Sequence, residues 1–174
     1  MNPHTDTALF LDFDGVLHPA VAEGEKVRYF EWATTLAEVL RGQERLGLVV
    51  HSTWRYIYDP AELAQMLRPV SVPLLGVVPR GPRYESILWW LHLNPSIQNY
   101  RIVDDAATEF PRPAPPELIL SHPLRGVSDP AVLTLMATSN SPICGHPNSP
   151  SAGRVNYASA VVLRAMRAAA SLSL

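Results

Sequence analysis

Cysteine and lysine are almost absent from this chain. Its 174 residues include one cysteine, Cys144, and one lysine, Lys26. A single thiol excludes an intramolecular disulfide framework, so a reducing compartment is the expectation. The sequence opens without a charged segment followed by an apolar one, and no run reaches the roughly 20 apolar residues of a membrane span. We therefore expect a cytoplasmic protein with no membrane partner.

Charged residues of either sign are also scarce. They make up 17% of the chain, against 47% hydrophobic residues, and the formal net charge is −2. This composition is typical of a globular protein with a substantial core, and the length allows one domain but is short for two. The slight negative charge argues against a strongly basic nucleic-acid face, while leaving room for a local basic patch.

Short apolar runs alternate with helical patterns along the first 138 residues. Five strands are predicted from these runs, at residues 9–11, 46–50, 74–78, 100–103 and 118–120, and the first two are expected to be buried. Helices are predicted at residues 29–45, from a capping box at 59–62 to about 68, from 82 through 91, and from about 130 to 137. Strands that alternate with helices predict a parallel sheet with helices on both faces, a three-layer, Rossmann-like α/β fold.

The composition changes after this predicted domain, which spans residues 1–138. Residues 139–155 are rich in Ser, Pro, Asn and Gly and are predicted to be a linker or loop, and residues 156–174 have helical periodicity with abundant Ala. Cys144 and His146 are too few to form a zinc site without further ligands. The sequence does not indicate an oligomeric state.

Two aspartates follow the first predicted strand. Asp12 and Asp14 lie one residue apart and are followed by Gly15. Alternation along a strand sends residues i and i+2 to the same side, so both carboxylates face one small volume and repel each other unless a proton or a divalent cation intervenes. An EF-hand loop is excluded, because its required glycine position holds Leu17.

Polar residues also end two other predicted strands. Ser52 follows the second strand in the chain, and Asp104 and Asp105 follow the fourth. The carboxyl ends of parallel strands form one edge of the sheet, where ligands bind in such folds. We therefore expect Asp12, Asp14, Asp104 and Asp105 to converge on one Mg²⁺, which requires Asp12 to lie within about 10 Å of the 104/105 pair.

The ordered segments DFDGVL, VVHSTWR, an arginine that opens a helix, and RIVDD resemble the haloacid dehalogenase (HAD) superfamily of phosphohydrolases and phosphotransferases. Within it, DGVLHP, STWR, the RxE pattern at 83–85, the DD pair and LRGVSD resemble the HAD domain of Swiss Army Knife RNA repair proteins. The resemblance implies a Mg²⁺-dependent phosphatase that acts through an aspartyl-phosphate. The short intervals between the motifs leave no room for a cap domain.

The resemblance also implies a role for each motif residue. Asp12 would be the nucleophile and a metal ligand, and Asp14 the general acid and base, with its backbone carbonyl on the metal. Ser52 would hold the phosphoryl oxygens with neighbouring backbone N–H groups, including that of Thr53, although a serine there is equally expected to cap a helix. At least one of Asp104 and Asp105 would bind the metal directly.

The superfamily's usual lysine is missing, because Lys26 comes far too early in the chain. An arginine must replace it, and Arg83 is expected to do so because it begins the helix before the DD strand; Arg80 is the alternative and otherwise a candidate for substrate binding. The remaining candidates for substrate contact are His18, near the nucleophile loop, and Arg55, after Ser52. Trp54, beside Arg55, is expected in the core or the pocket wall.

Because an open site admits large substrates, the predicted substrate is a large phosphorylated molecule, such as an RNA end, a DNA end or a phosphoprotein. Two alternatives remain open at this point. One is a receiver-like domain that accepts a phosphoryl group on aspartate, and the other is a catalytically degenerate HAD-like binding module. The missing lysine keeps the second in consideration.

Overall fold

The computed structural model describes residues 5–20 and 27–138. The predicted linker at 139–155 and helix at 156–174 lie outside the described residues. Nine strands and helices make up the described part: β1 (Thr7–Leu11), α1 (Ala33–Leu40), β2 (Leu46–Val50), α2 (Pro60–Met66), β3 (Leu74–Val77), α3 (Arg83–Leu93), β4 (Asn99–Asp104), β5 (Leu118–Leu120) and α4 (Pro130–Thr138).

The five strands form one parallel sheet in the order β3-β2-β1-β4-β5. This order confirms the Rossmann-like fold. It contradicts the receiver-like alternative, because receiver domains have the order 2-1-3-4-5. The central position of β1 between β2 and β4 brings the chain that leaves β1 next to the ends of both neighbours.

Alternate residues of β1 face opposite sides of the sheet. Leu9 and Leu11 pack in the core that α1, α2 and α4 cover, whereas Ala8 and Phe10 pack in the core under α3. The Phe10 ring makes edge-to-face contacts with Trp90 and Tyr100 at centroid distances of 5.5 and 5.9 Å. Such pairs add about 0.5–1.5 kcal/mol each beyond the area they bury, so the strand that carries the first motif is firmly held from both faces.

The prediction of a helix over residues 29–45 is wrong at both ends, since α1 spans only Ala33–Leu40. Phe30 has φ of 60°, in the left-handed region, and Gly42 has φ of 82°. A left-handed residue cannot continue a right-handed helix, and apolar periodicity alone does not detect it. The other helices begin where predicted, and the Asp59 and Glu62 side chains form the expected capping box on α2.

No helix among the described residues is long and apolar enough to cross a membrane. Each interval between successive strands in the described part holds at most one α-helix together with short 3-10 turns. No cap domain is therefore present between the motifs in the part of the chain that the structure describes.

Candidate active site

The candidate site lies at the carboxyl edge of the sheet, above β1 and β4. Asp12 directly follows β1, and its backbone N–H still donates to the Val103 carbonyl on β4. Asp104 is the last residue of β4, and Asp105 follows it. Asp12 and Asp104 are both buried. Pairing of the two strands therefore sets how far apart their terminal carboxylates lie.

Three carboxylates converge at this edge. One oxygen each from Asp12, Asp104 and Asp105 lies within 4.8 Å of the other two. The prediction that Asp12 would lie close to the 104/105 pair is confirmed. Only these side-chain carboxylates form such a group among the described residues; the Asp14 carboxylate is not part of it.

Arg83 stands at the first position of α3 and neutralises part of this charge. Its Nη1 donates to Oδ2 of Asp12 and, at 2.6 Å, to Oδ2 of Asp104. Burial alone would lower the pKa of Arg83, but the two carboxylates outweigh it and raise the pKa above its ordinary value. The guanidinium thus remains charged and bridges the ends of β1 and β4.

The carboxyl groups after β4 favour protonation. Burial, reinforced by the negative charge of Asp12, raises the pKa of Asp104 to about 7 despite the opposing effect of Arg83. Burial and Asp12 also raise the pKa of Asp105. When all three carboxyl groups are ionised, the single guanidinium leaves two negative charges uncompensated, and a divalent cation carries the matching charge. The all-oxygen donor set suits Mg²⁺.

Gly15 makes room for one of these carboxylates. It has φ of 69°, and a Cβ built on it would lie 2.3 Å from Oδ2 of Asp105. A glycine is therefore required here both by the backbone conformation and by the approach of Asp105. Its carbonyl also accepts a hydrogen bond of 2.8 Å from the buried Ser121 hydroxyl, at the end of β5.

Asp14 is held differently from Asp12. Its Oδ1 lies 3.0 Å from Nε2 of His18, and its Oδ2 accepts a hydrogen bond of 2.9 Å from Nε1 of Trp54. The Asp14 side chain is 42% exposed, whereas that of Asp12 is 4% exposed. Two carboxylates close together in sequence therefore occupy different environments, one buried and one open to solvent.

His18 was expected in a substrate-facing loop, and its side chain is fully buried instead. Trp54 packs among aromatic rings as expected, stacked on Tyr58 at 5.4 Å, while its indole N–H reaches Asp14. Neither hydrogen bond to Asp14 was predicted. The bond from His18 depends on the fold of the loop after β1, and the bond from Trp54 depends on how that loop meets the turn after β2.

Ser52 begins a short 3-10 helix, Thr53–Tyr56, and its hydroxyl accepts a hydrogen bond of 3.4 Å from the Trp54 N–H. The capping role expected of a serine in this position is thus present. The Ser52 side chain is buried, whereas Thr53 is exposed. Both lie where the chain leaves β2, beside the end of β1.

Arg55 connects two segments of the site rather than extending into solvent. Its guanidinium donates to the carbonyls of His51, Ser52 and Gly81 and lies 4.4 Å above the ring of Tyr56. It therefore ties the turn after β2 to the segment that precedes Arg83. Arg80 is exposed and lies 5.3 Å from the same ring, and none of the hydrogen bonds of the three-carboxylate group involves it.

His51 is a site residue that the sequence reasoning did not select. It is fully buried, and burial lowers its pKa to about 4 even though Asp12 opposes the shift. Its Nδ1 lies 3.5 Å from Oδ2 of Asp104 but has no hydrogen-bond partner among the described residues. The ring is neutral at pH 7, so this contact is not an ion pair. The signal in the sequence that could have identified His51 is its position, as a polar residue at the end of a fully buried strand.

The comparisons with known proteins agree with this geometry. A family model described as the HAD domain in Swiss Army Knife RNA repair proteins matches residues 8–132. The chain belongs to this family. Searches of curated proteins and of solved structures gave no match. Membership relates this HAD domain to hydrolases, and all the carboxylates described above lie within the matched range.

Proposed function

We propose that this HAD domain is a Mg²⁺-dependent phosphomonoesterase that acts through an aspartyl-phosphate on Asp12. The convergence of Asp12, Asp104 and Asp105 within 4.8 Å carries the proposal. Burial, reinforced by the charge of Asp12, raises the pKa of Asp104, so a bound cation would favour the ionised form of the group. Arg83, which contacts Asp12 and Asp104, takes the part that the superfamily gives to lysine.

Side chains of Asp12, Asp104 and Asp105, with the Asp14 carbonyl, would hold the Mg²⁺. The bound ion would offset the negative charge of the phosphate and of the carboxylates, which otherwise repel each other. Asp104 is already fixed by Arg83 and by the Ala106 N–H, which donates to its Oδ1 at 2.8 Å. Asp105 is only partly buried, whereas Asp104 is fully buried, so Asp105 is the more adjustable ligand of the pair.

The chemistry proceeds in two displacements. A carboxylate oxygen of Asp12 attacks phosphorus, the ester P–O bond breaks, and Asp14 gives a proton to the departing oxygen. A water molecule then attacks the phosphorus of the aspartyl-phosphate and loses a proton to Asp14. The bond to Asp12 breaks and phosphate leaves. Ser52 and neighbouring N–H groups, including that of Thr53, would bind the phosphoryl oxygens.

A terminal phosphate on a nucleic acid is the proposed substrate. The family description refers to RNA repair proteins. The open carboxyl edge, with no cap domain among the described residues, supports access by a macromolecular end. The exposed Arg80 and the ring of Tyr56 beside it are available for contact with the rest of such a substrate.

Phosphate release from an end-phosphorylated RNA oligonucleotide tests the proposal. A matched DNA oligonucleotide, a phosphopeptide and an aryl phosphate are assayed in parallel as alternative substrates. We expect release that requires Mg²⁺ and stops with EDTA or with Asp12→Asn. The ³²P-labelled substrate should leave an acid-stable, hydroxylamine-sensitive label on the wild type, as an acyl phosphate does. Equal release from Asp12→Asn would refute the mechanism. Binding of Mg²⁺ and oligonucleotide without any turnover would instead support a degenerate binding module.

A further inference from the structure

Asp14 is anchored by two donors from different parts of the chain. His18 comes from the loop after β1, and Trp54 from the 3-10 helix after β2; each contacts one carboxylate oxygen, at 3.0 and 2.9 Å. The anchors therefore fix the rotation of the carboxyl plane as well as its position.

The proton on His18 can be assigned from its surroundings. The backbone N–H of Phe30 points to Nδ1 of His18 at 3.4 Å, and an N–H can only donate. Nδ1 is then the acceptor, which leaves Nε2 to carry the proton and donate to Oδ1 of Asp14. The loop is closed by a second bond, from the Gly15 N–H to the His18 carbonyl at 2.9 Å. The imidazole is thus a fixed donor.

Packing immobilises the second donor. The Trp54 ring contacts Phe13, Phe30 and Tyr58 at centroid distances of 5.4–5.7 Å. The indole cannot turn away from Asp14 without disrupting this cluster. Because an ionised carboxylate has about four acceptor sites, Asp14 keeps free lone pairs after accepting these two bonds. Its partial exposure leaves them accessible to a leaving group or to water.

We propose that His18 and Trp54 are positioning residues, and that neither contacts the substrate. They orient Asp14 so that an oxygen site left free by their hydrogen bonds, which carries the transferred proton, faces the leaving-group oxygen. The inference depends on the proposed function, since it gives Asp14 the proton-transfer role. It differs from the sequence-based expectation, which assigned His18 to the substrate. It also gives the indole N–H of Trp54 a hydrogen-bonding role, in addition to the packing of its ring in an aromatic cluster.

Leaving-group dependence is the decisive test. Trp54→Phe keeps an aromatic ring and removes the N–H. On an end-phosphorylated oligonucleotide, whose alkoxide leaving group needs a proton, we expect kcat/KM to fall at least about tenfold. This loss is a modest part of the roughly 10²–10⁴-fold that general acid–base catalysis contributes. On 4-nitrophenyl phosphate, whose leaving group needs none, the loss should be much smaller. Trp89→Phe, the same change in a tryptophan that contacts His92 in α3, is the control.

His18 offers a rescue test on the same two substrates. Glutamine can place an N–H near the position of Nε2, whereas leucine cannot, so His18→Gln should retain more oligonucleotide activity than His18→Leu. In addition, Asp14→Asn should shift the indole ¹H–¹⁵N resonance of Trp54, assigned with Trp54→Phe, and leave that of Trp89 in place. This measurement needs no turnover.

The outcomes separate the two proposals. An active wild type in which Trp54→Phe loses activity equally on both substrates, or in which the Trp54 resonance ignores Asp14→Asn, would overturn the positioning role alone. A wild type that releases no phosphate from either substrate with Mg²⁺ would overturn the proposed function and this inference with it.

Discussion

At the residue scale, Gly15 shows how one missing side chain shapes the site. Its φ of 69° is strained for any residue with a Cβ, and the position that a Cβ would take is filled by the Asp105 carboxyl. The glycine therefore serves two purposes, a left-handed turn after Asp14 and a close approach of a predicted metal ligand. A second glycine, Gly42, has the first property without the second, since nothing lies within 4 Å of its Cβ position.

These two glycines form a matched pair of mutations. Gly42→Ala should lower the free energy of unfolding by about 1–2 kcal/mol, the cost of a left-handed alanine. Gly15→Ala adds a clash with Asp105, so we expect a larger loss together with at least about tenfold weaker Mg²⁺ binding, equivalent to 1.4 kcal/mol. Urea unfolding and calorimetric Mg²⁺ titration measure the two effects. Unchanged Mg²⁺ affinity in Gly15→Ala would contradict Asp105 as a ligand.

His51 predicts a pH dependence of stability. Its pKa in the folded chain, about 4, lies below the ordinary value of 6.5 because the ring is buried. The unfolded chain therefore binds the proton more readily, and the free energy of unfolding falls as the pH drops from 6.5 towards 4. The full contribution is about 3 kcal/mol, and it is present above pH 6.5.

The raised pKa of Asp104 acts in the opposite direction over nearly the same range, adding stability as the pH falls from about 7 towards 4. A comparison of the wild type with His51→Gln isolates the histidine. Without Mg²⁺, the difference between their free energies of unfolding should change by about 3 kcal/mol between pH 7 and pH 4. A difference independent of pH would show that His51 is not buried in its neutral form.

At the element scale, the start of α3 determines which arginine reaches the carboxylates. Arg83 occupies the first helical position, and from there its side chain reaches the ends of β1 and β4. Arg80 precedes the helix by three residues and lies over Tyr56 instead. The geometry of the helix start thus agrees with the preference for Arg83 over Arg80.

We expect Arg83→Gln to lower kcat/KM by roughly 10²–10³-fold, as loss of a donor to the reacting charge does elsewhere. Arg80→Gln should change it by no more than about fivefold, since an exposed charge contributes up to about 1 kcal/mol. Circular dichroism and thermal unfolding of both variants control for loss of the fold, because Arg83→Gln leaves two buried carboxylates without their partner. Equal losses in the two variants would contradict the assignment of Arg83.

At the scale of the whole molecule, the sheet order brings distant charges together. Asp12 is separated from Asp104 and Asp105 by more than half of the chain, yet parallel pairing of β1 with β4 places their ends side by side. Binding of a cation at this point joins segments that are otherwise held by sheet hydrogen bonds and by Arg83. Metal binding and folding are therefore expected to be coupled.

Mg²⁺ at roughly 100 times its Kd should stabilise the fold by about 2.7 kcal/mol, which corresponds to a rise in Tm of about 5–10 °C for a domain of this size. Asp105→Asn should remove most of this shift. Asp129→Asn, which changes an aspartate at the start of α4 outside the carboxylate group, should preserve it. Differential scanning calorimetry with and without EDTA measures the effect, and an equal shift in both variants would contradict the site.

The amino-acid sequence by itself determined the five strands, their parallel class and the edge at which Asp12, Ser52, Asp104 and Asp105 lie, because strand periodicity and strand-end polarity are local properties. Only the tertiary structure showed that Arg83, and not Arg80, reaches the carboxylates. It also showed that His18 and His51 are buried and that the Trp54 indole contacts Asp14. These results depend on contacts between segments 20 or more residues apart or on left-handed turns such as that at Phe30. Local patterns contain no information about which side chains such contacts bring together.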